Sequence, residues 1–545
     1  MPQDLVARRA ARAPIPARTG DAAPILVPGV TCWRIARADR FSLIVDAADY
    51  FAAACAAMAQ ADRSIIAVGW EFDLRIPLRP DLPPDAVERS RLGPVLQRLV
   101  ERNPRLEVFI LQWDGAVLRT VATQIVPLAM LSLMAVPRIH VRLDGDHPLG
   151  ASHHQKILVV DDSLAFCGGI DMTAERWDTS DHAPGDPRRR RPDGTLYGPF
   201  HDVTTAVDGP AAAALADLAR ERWSRAGGSG DGGEDLPPRP APDEAPVCPW
   251  PRRLPVTLRD VDVAIARTEP AHGGREAVRE VEALYLAAIA GARRFLYLES
   301  QYFAAAAIRD ALAARLAEPD GPEVVVICPR EAENWMEQLA MDTARADSVA
   351  SLRDRDPHGR FRIWYPVNRA GEAIYVHAKV LIMDDRLLRI GSSNLNNRSL
   401  GFDTECDIAV EAVPGRPDAP RVAAAIRRLL VRLLAEHLGQ DRRLVAAALG
   451  RGGSLIRTVE GLSRPRGRGL RVLEGRDLSD LESALLATRL MDPEWPGQGE
   501  RRLGRMLRWG FWRLGRVQGR GKGLFLAGAV VGFLLGPRLR DIWPK

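Results

Sequence analysis

The sequence predicts an α/β protein built from two similar lobes that face each other, and three observations carry that expectation. The stretch His154–Asp171 (HQKILVVDDSLAFCGGID) recurs as His377–Asn394 (HAKVLIMDDRLLRIGSSN). In both, a lysine follows the histidine by two positions, an aspartate by seven and a glycine by fourteen. Helical and strand-like segments alternate in each half, the signature of layered α/β architecture. Between the halves, residues 226–248 are rich in Gly, Pro and acids, with almost no apolar content, and read as a linker.

Residues 1–24 are rich in Ala, Arg and Pro and are expected to be disordered. In the first lobe, 25–225, helical spacing over Ala47–Asp62 precedes a buried strand, Ser64–Trp70 (SIIAVGW). A helix at Gly93–Arg102, a core strand at Leu106–Trp113 and a short strand at Ile139–Leu143 lead to the first motif. Thr179–Arg191, with four consecutive arginines at Arg188–Arg191, reads as a solvated loop, or alternatively as an electropositive rim for an anionic surface. A strand over Phe200–Val207 and a helix over Ala211–Arg222 follow.

The second lobe, 249–440, repeats the plan. Helix Gly274–Gly291, strand Arg294–Phe303, helix Ala304–Ala317 and strands Glu323–Pro329 and Phe361–Pro366 lead to the second motif. Cys406–Val413 matches the strand after the first motif, and Ala419–Leu438 reads as a closing helix. A C-terminal extension, 441–500, leads to a tail of different character.

That tail, 501–545, holds eleven Arg or Lys against one acid, with Trp509, Trp512 and Trp543 flanking the apolar run Gly523–Gly536. Fourteen residues are too few to cross a bilayer as a helix, which needs about 20. Basic residues and tryptophans beside a short apolar run suit attachment to a membrane surface. A helix packed on the main body is the plainer alternative.

Composition narrows the class. Hydrophobic content of 46% and charged content of 27% describe a soluble globular chain and exclude disordered or fibrous ones. The net charge of +5 is mildly basic. The six cysteines show no C-x-x-C spacing, so neither a zinc site nor a redox motif is expected. No apolar run follows the basic N-terminus, which leaves a cytoplasmic location as the default.

The motifs carry the chemistry. Residues two apart on an extended chain share a face, so His154 projects with Lys156 and His377 with Lys379. Imidazole suits nucleophilic or acid–base work near neutral pH, and a neighbouring lysine holds an anion. Gly168 and Gly169 form one small turn, and Gly391, Ser392 and Asn394 another, where Gly lets a ligand approach and Ser392 and Asn394 donate. Two histidines, two lysines and such donors are what phosphodiester cleavage needs: one imidazole attacks phosphorus, the other protonates the leaving oxygen, and the cations hold the phosphate. No metal or cofactor is expected. Asp161 and Asp384 complete the motifs and join the candidate catalytic set. Seven residues on, however, they fall at the far end of the strand, where a turn contact or structural salt bridge is the expectation.

The paired H-x-K-x-x-x-x-D stretches resemble the phospholipase D superfamily, over roughly residues 25–440, and the resemblance implies two α/β lobes with one active site at their interface. The likeness is sharpest at Ser152–Thr179, Glu299–Phe303 (ESQYF) and Tyr375–Glu405, and GGIDMTAERWDT with ESQYF is similar to the phosphatidylcholine-cleaving branch. The resemblance implies that His154 is the nucleophile forming a phosphohistidine, and that His377 is general acid and then base. It further implies that Lys156, Lys379, Ser392 and Asn394 bind phosphate, with Gly169 and Asp171 in the corresponding first-half places. Asp202 and Glu405, on the strands after each motif, would orient the histidines. Hydrolysis of a glycerophospholipid to phosphatidic acid and an alcohol, with transphosphatidylation, is the implied activity. Phosphatidyl transfer as in cardiolipin synthesis is the alternative, and a nuclease is a third reading, disfavoured by an aromatic content of only 6%. Phospholipid and the membrane surface are the implied partners, with no nucleic acid expected. Both motifs lie in one chain, which implies activity as a monomer.

Overall fold

The structure, a computed structural model, describes residues 23–115, 132–227, 247–333 and 338–475, and scattered positions at 236, 239 and 478–498. The segment 1–22, most of the linker and the tail 501–545 lie outside the described residues, and with them the expectations of disorder and membrane attachment.

Eight strands belong to the first half: β1 (Arg34–Val45), β2 (Ser64–Gly69), β3 (Glu107–Trp113), β4 (Ile139–Asp144), β5 (Ile157–Val160), β6 (Leu164–Gly168), β7 (Phe200–His201) and β8 (Val203–Asp208). The second half supplies β9 (Leu258–Glu269), β10 (Val278–Arg279), β11 (Phe295–Glu299), β12 (Glu323–Ile327), β13 (Phe361–Val367), β14 (Tyr375–Val376), β15 (Val380–Met383), β16 (Leu387–Gly391) and β17 (Glu405–Glu411). A last strand, β18 (Gly469–Val472), comes from the C-terminal extension and pairs with β13.

The repeat is visible in the strand order. Outward from its centre one half runs β1-β8-β6-β5-β2-β3-β4, and the other runs β9-β17-β16-β15-β11-β12-β13. The two halves do more than face each other. Central strands β1 and β9 pair antiparallel, from Arg34 opposite Ile265 to Phe41 opposite Leu258, so one mixed sheet passes through both. These two long strands escape the sequence reading because their outer ends are exposed and charged, which blurs the apolar alternation.

Period-2 alternation divides the core. Ile66 and Val68 of β2 point with Val380 and Ile382 of β15 into one apolar layer, which helices Gly209–Ala226 and Ala419–Leu438 cover. Their neighbours Ile65 and Leu381 point the other way, into separate cores under helices Ala47–Met58 and Glu280–Gly291. The continuous layer ties the halves together. The strand expected over Phe200–Val207 breaks at Asp202, because β7 leaves its own half and pairs in parallel with β14 of the other. Among the described residues, no helix is long and apolar enough to cross a membrane.

Candidate active site

The broken strand sets the site's geometry. Tyr375 and Val376 pair with Phe200 and His201, so His377 follows directly and its amide donates to the His201 carbonyl at 2.8 Å. On the other side of the pseudo-two-fold, His153 bridges Thr404 and the His154 amide donates to the Thr404 carbonyl at 3.0 Å. Each motif histidine is therefore docked on the strand that carries the other half's acid. His377 Nδ1 donates to Asp202 Oδ2 at 2.6 Å, and His154 Nδ1 donates to Glu405 Oε2 at 2.9 Å. A carboxylate at Nδ1 fixes that proton and leaves the lone pair of the neutral ring on Nε2. The acids expected to orient the histidines do meet them, but across the halves.

The lysines are buried beside them. Lys156 Nζ donates to the His154 carbonyl at 3.1 Å and pairs with Asp171 at 3.0 Å, while Lys379 Nζ donates to the His377 carbonyl. Burial, reinforced by both lysines, holds the His154 and His377 imidazoles well below the usual histidine range. Burial likewise pushes Lys379 down to about 7, and pushes Asp202 up to about 6 and Glu405 up to about 7. These buried groups thus resist separated charge, and an anionic ligand relieves it. A phosphonate monoester, singly charged throughout, is expected to bind more tightly at pH 6 than at pH 8. Lys379 is cationic below about 7 and loses its proton above it. Equal affinity at the two pH values, measured calorimetrically, would remove Lys379 from the anion site.

Several expected roles change. Ser392 was expected to donate to phosphate, but its hydroxyl donates to Glu405 and accepts from the Cys406 amide at 3.0 Å. The corresponding Gly169 has no side chain because Asp202 occupies that space: a Cβ there would lie 2.2 Å from Asp202 Oδ1. Asp171, also placed with the phosphate binders, instead accepts from the Trp70 amide and pairs with Lys156; a carboxylate there would repel phosphate. Its counterpart Asn394 is neutral, is buried, and contacts Gln301 at 3.5 Å. The halves are therefore unequal in charge as well as in sequence.

Asp161 and Asp384 take no place beside the histidines. The Asp161 carboxylate accepts from the amides of Asp62, Arg63 and Ser64, and Asp384 from those of Arg293, Arg294 and Phe295, at 2.8–3.0 Å. Both sit in left-handed turns, φ 52° and 54°, which Asp tolerates. They seal the chain's entry into β2 and β11, and direct chemistry for them is corrected to a structural role. Asp161→Ala is expected to cost about 3 kcal/mol in urea unfolding, from charge-assisted bonds lost to three amides. Full stability with lost turnover would instead return Asp161 to the chemistry.

The arginine loop is solvated at Arg188 and Arg190 and buried at Arg189. Arg189 is buried against Asp178, Arg188 pairs with Asp186 and Arg191 with Glu175. Two groups near the site went unremarked in the sequence. Arg176 is buried over the Phe200 ring and adds its positive field at His377. Gln301 links Asn394 to Tyr375. Both lie in stretches that carry the family likeness, which was the available signal. The adjacent His153 is a structural residue, pinned to Asp144 at 2.8 Å.

Two family models match the stretches that hold the two motifs. A family model described as "Phospholipase D" matches residues 145–309, and one described as "Cardiolipin synthase, PLD-like domain" matches residues 285–428. Phospholipase D A of Dictyostelium discoideum is 25% identical over 466 residues, covering 73% of this chain and 35% of that protein. Phospholipase D alpha 2 of Oryza sativa is 24% identical over 48% of this chain and 45% of its own length. The chain thus spans about a third to a half of the length of these curated relatives. Phosphatidylserine synthase of Haemophilus influenzae is a structural neighbour at 12% identity and a TM-score of 0.49, covering 88% of this chain and 96% of that one. The two family matches together run from residue 145 to 428 and take in both histidine motifs, so the chain belongs to the phospholipase D superfamily.

Proposed function

We propose that the protein cleaves the distal phosphodiester of a glycerophospholipid, giving phosphatidic acid and a free alcohol through a phosphohistidine. The observation that carries this reading is the crossed pairing of His154 with Glu405 and of His377 with Asp202, beside Lys156 and Lys379. Held uncharged by burial, His154 Nε2 attacks phosphorus as the P–O bond to the headgroup breaks. His377, which takes up a solvent proton on Nε2 as the anionic substrate binds, gives it to that oxygen; the substrate's negative charge and Asp202 sustain the imidazolium until then. Water then enters, His377 takes its proton, and the oxygen displaces His154 from phosphorus. Phosphatidic acid leaves, and both rings return to their starting state.

A covalent intermediate partitions between water and alcohol. Purified protein with mixed phospholipid vesicles and ethanol is expected to yield phosphatidic acid and phosphatidylethanol together; neither product would refute the reading. The match to the cardiolipin synthase description favours a second reading, phosphatidyl transfer between lipids. Conversion of phosphatidylglycerol alone to cardiolipin and glycerol would select it. Access to such substrates is assigned to peripheral attachment through 501–545. Deleting that tail is expected to move the protein from the membrane pellet to the supernatant, and an unchanged distribution would refute the attachment.

A further inference from the structure

Directly behind the crossed pairs lies a second cluster of buried groups that the chemistry above does not use. Asp46 follows β1, His182 lies in the arginine loop, His201 is in β7, and Glu436 is in the helix Ala419–Leu438. All four are buried, and one ligand atom from each falls within 4.8 Å of the other three. His201 Nδ1 lies 2.8 Å from Glu436 Oε1 and 3.2 Å from Asp46 Oδ1, and His182 Nε2 lies 3.4 Å from Glu436 Oε1. Yet His201 Nδ1 and Asp46 Oδ1 have no hydrogen-bond partner despite complete burial. Their atoms converge without pointing N–H at oxygen.

The backs of the two imidazoles explain why. His182 Nδ1 donates to Asp178 at 2.9 Å, and that carboxylate is backed by Arg189 and the Phe200 amide. His201 Nε2 donates to Glu299 at 2.9 Å, backed in turn by the Tyr297 hydroxyl and His437. When each ring is neutral, as a metal ligand must be, the carboxylate takes the N–H and the lone pair of the other nitrogen is aimed into the cluster. Carboxylate–histidine pairs of this kind stand behind metal-ligating imidazoles.

We propose that Asp46, His182, His201 and Glu436 form a closed, buried site for a divalent first-row transition ion, with zinc as the best fit. Two imidazoles and two carboxylates are a zinc-type donor set. Tetrahedral bonds of about 2.0–2.1 Å place ligand atoms about 3.3 Å apart, close to the contacts present. Four carboxylates, Asp46, Asp178, Glu299 and Glu436, crowd this region, Asp178 being paired with Arg189, and a divalent ion would offset two of their charges. Asp46 holds a left-handed φ of 68°, and its second oxygen accepts from Ser180 at 2.7 Å, which leaves Oδ1 for the ion. The ligands come from both halves of the chain. His201 directly precedes Asp202, and the Asp46 amide donates to the Asp202 carbonyl at 2.8 Å. An ion here would fasten the halves and hold the backbone of the acid that orients His377.

The test uses the full chain, expressed with zinc supplementation and dialysed against metal-free buffer. Elemental analysis is expected to find about one zinc per chain. Stripping with a strong chelator is expected to lower the thermal midpoint by roughly 5 °C, and zinc alone to restore it. Cobalt in its place is expected to give the visible absorption of a tetrahedral nitrogen–oxygen site. His182→Gln and, separately, Asp46→Asn are expected to lose the bound metal, and a folded variant of either that retains it would overturn the assignment. Should both variants fail to fold, the wild-type chain decides. Substoichiometric traces of every first-row metal, with a midpoint indifferent to zinc, would mean that the four groups are only a proton-sharing ion-pair network.

Discussion

His154→Ala is expected to lower turnover by about 10⁴-fold or more, because removing the nucleophile removes the covalent route itself. His377→Ala is expected to lose about 10²- to 10⁴-fold on natural headgroups, the range of general acid catalysis. The two variants differ in kind, and a phosphatidyl ester of p-nitrophenol separates them. That leaving group departs without a proton, so the first step no longer needs His377. His377→Ala should therefore release a burst of p-nitrophenol equal to the enzyme present and then stall, with the phosphatidyl group left on His154. His154→Ala should give no burst. The opposite pattern would exchange the two roles, and full turnover by either variant on a natural lipid would remove the mechanism.

The second large effect follows from the crossed acids. Asp202→Ala and Glu405→Ala are each expected to lose about 10²- to 10⁴-fold, since an unanchored imidazole adopts the wrong tautomer and orientation. The geometry makes a finer statement. Asp202 lies in the same half as His154 but holds His377, with Nδ1 and Oδ2 2.6 Å apart. Asp202→Ala should therefore behave like His377→Ala, with a burst and then a stall on the aryl ester. Glu405→Ala should behave like His154→Ala and lose the burst. Each acid mimicking the histidine of its own half would show that the pairing is not crossed in solution.

Much of this protein was legible before its fold. The repeat of His154–Lys156–Gly168 as His377–Lys379–Gly391 pointed to the chemistry proposed, because few side chains can attack and protonate a phosphodiester at neutral pH. Apolar runs such as Ser64–Gly69 and Glu323–Ile327 identified the core strands, because wholly buried strands of a layered fold are continuously hydrophobic. The end of helix Ala419–Leu438 was readable from Gly439, which adopts the left-handed cap that glycine allows. Central strands β1 and β9 were not readable, since their solvent-facing ends carry Arg34, Arg37, Arg259 and Asp260. The turn contact expected of Asp161 was readable, but the partners of Ser392 and Asp171 were not. A hydroxyl or carboxylate bonds whatever the fold brings near, and for these two that was an acid and a lysine.

By itself the sequence determined the reacting groups and the duplication that supplies them, because residue type and spacing within a strand are local properties. Only the tertiary structure decided which acid serves which histidine. His377 and Asp202 are 175 residues apart, and His154 and Glu405 are 251 apart. The first meeting depends on β7 breaking from β8 to pair with β14, and the second on the bridge of His153 to Thr404, choices made by backbone hydrogen bonds between the halves that no local pattern encodes. The same holds for Asp46, His182, His201 and Glu436, four distant segments that converge once β1 and β9 have joined the two halves into one sheet.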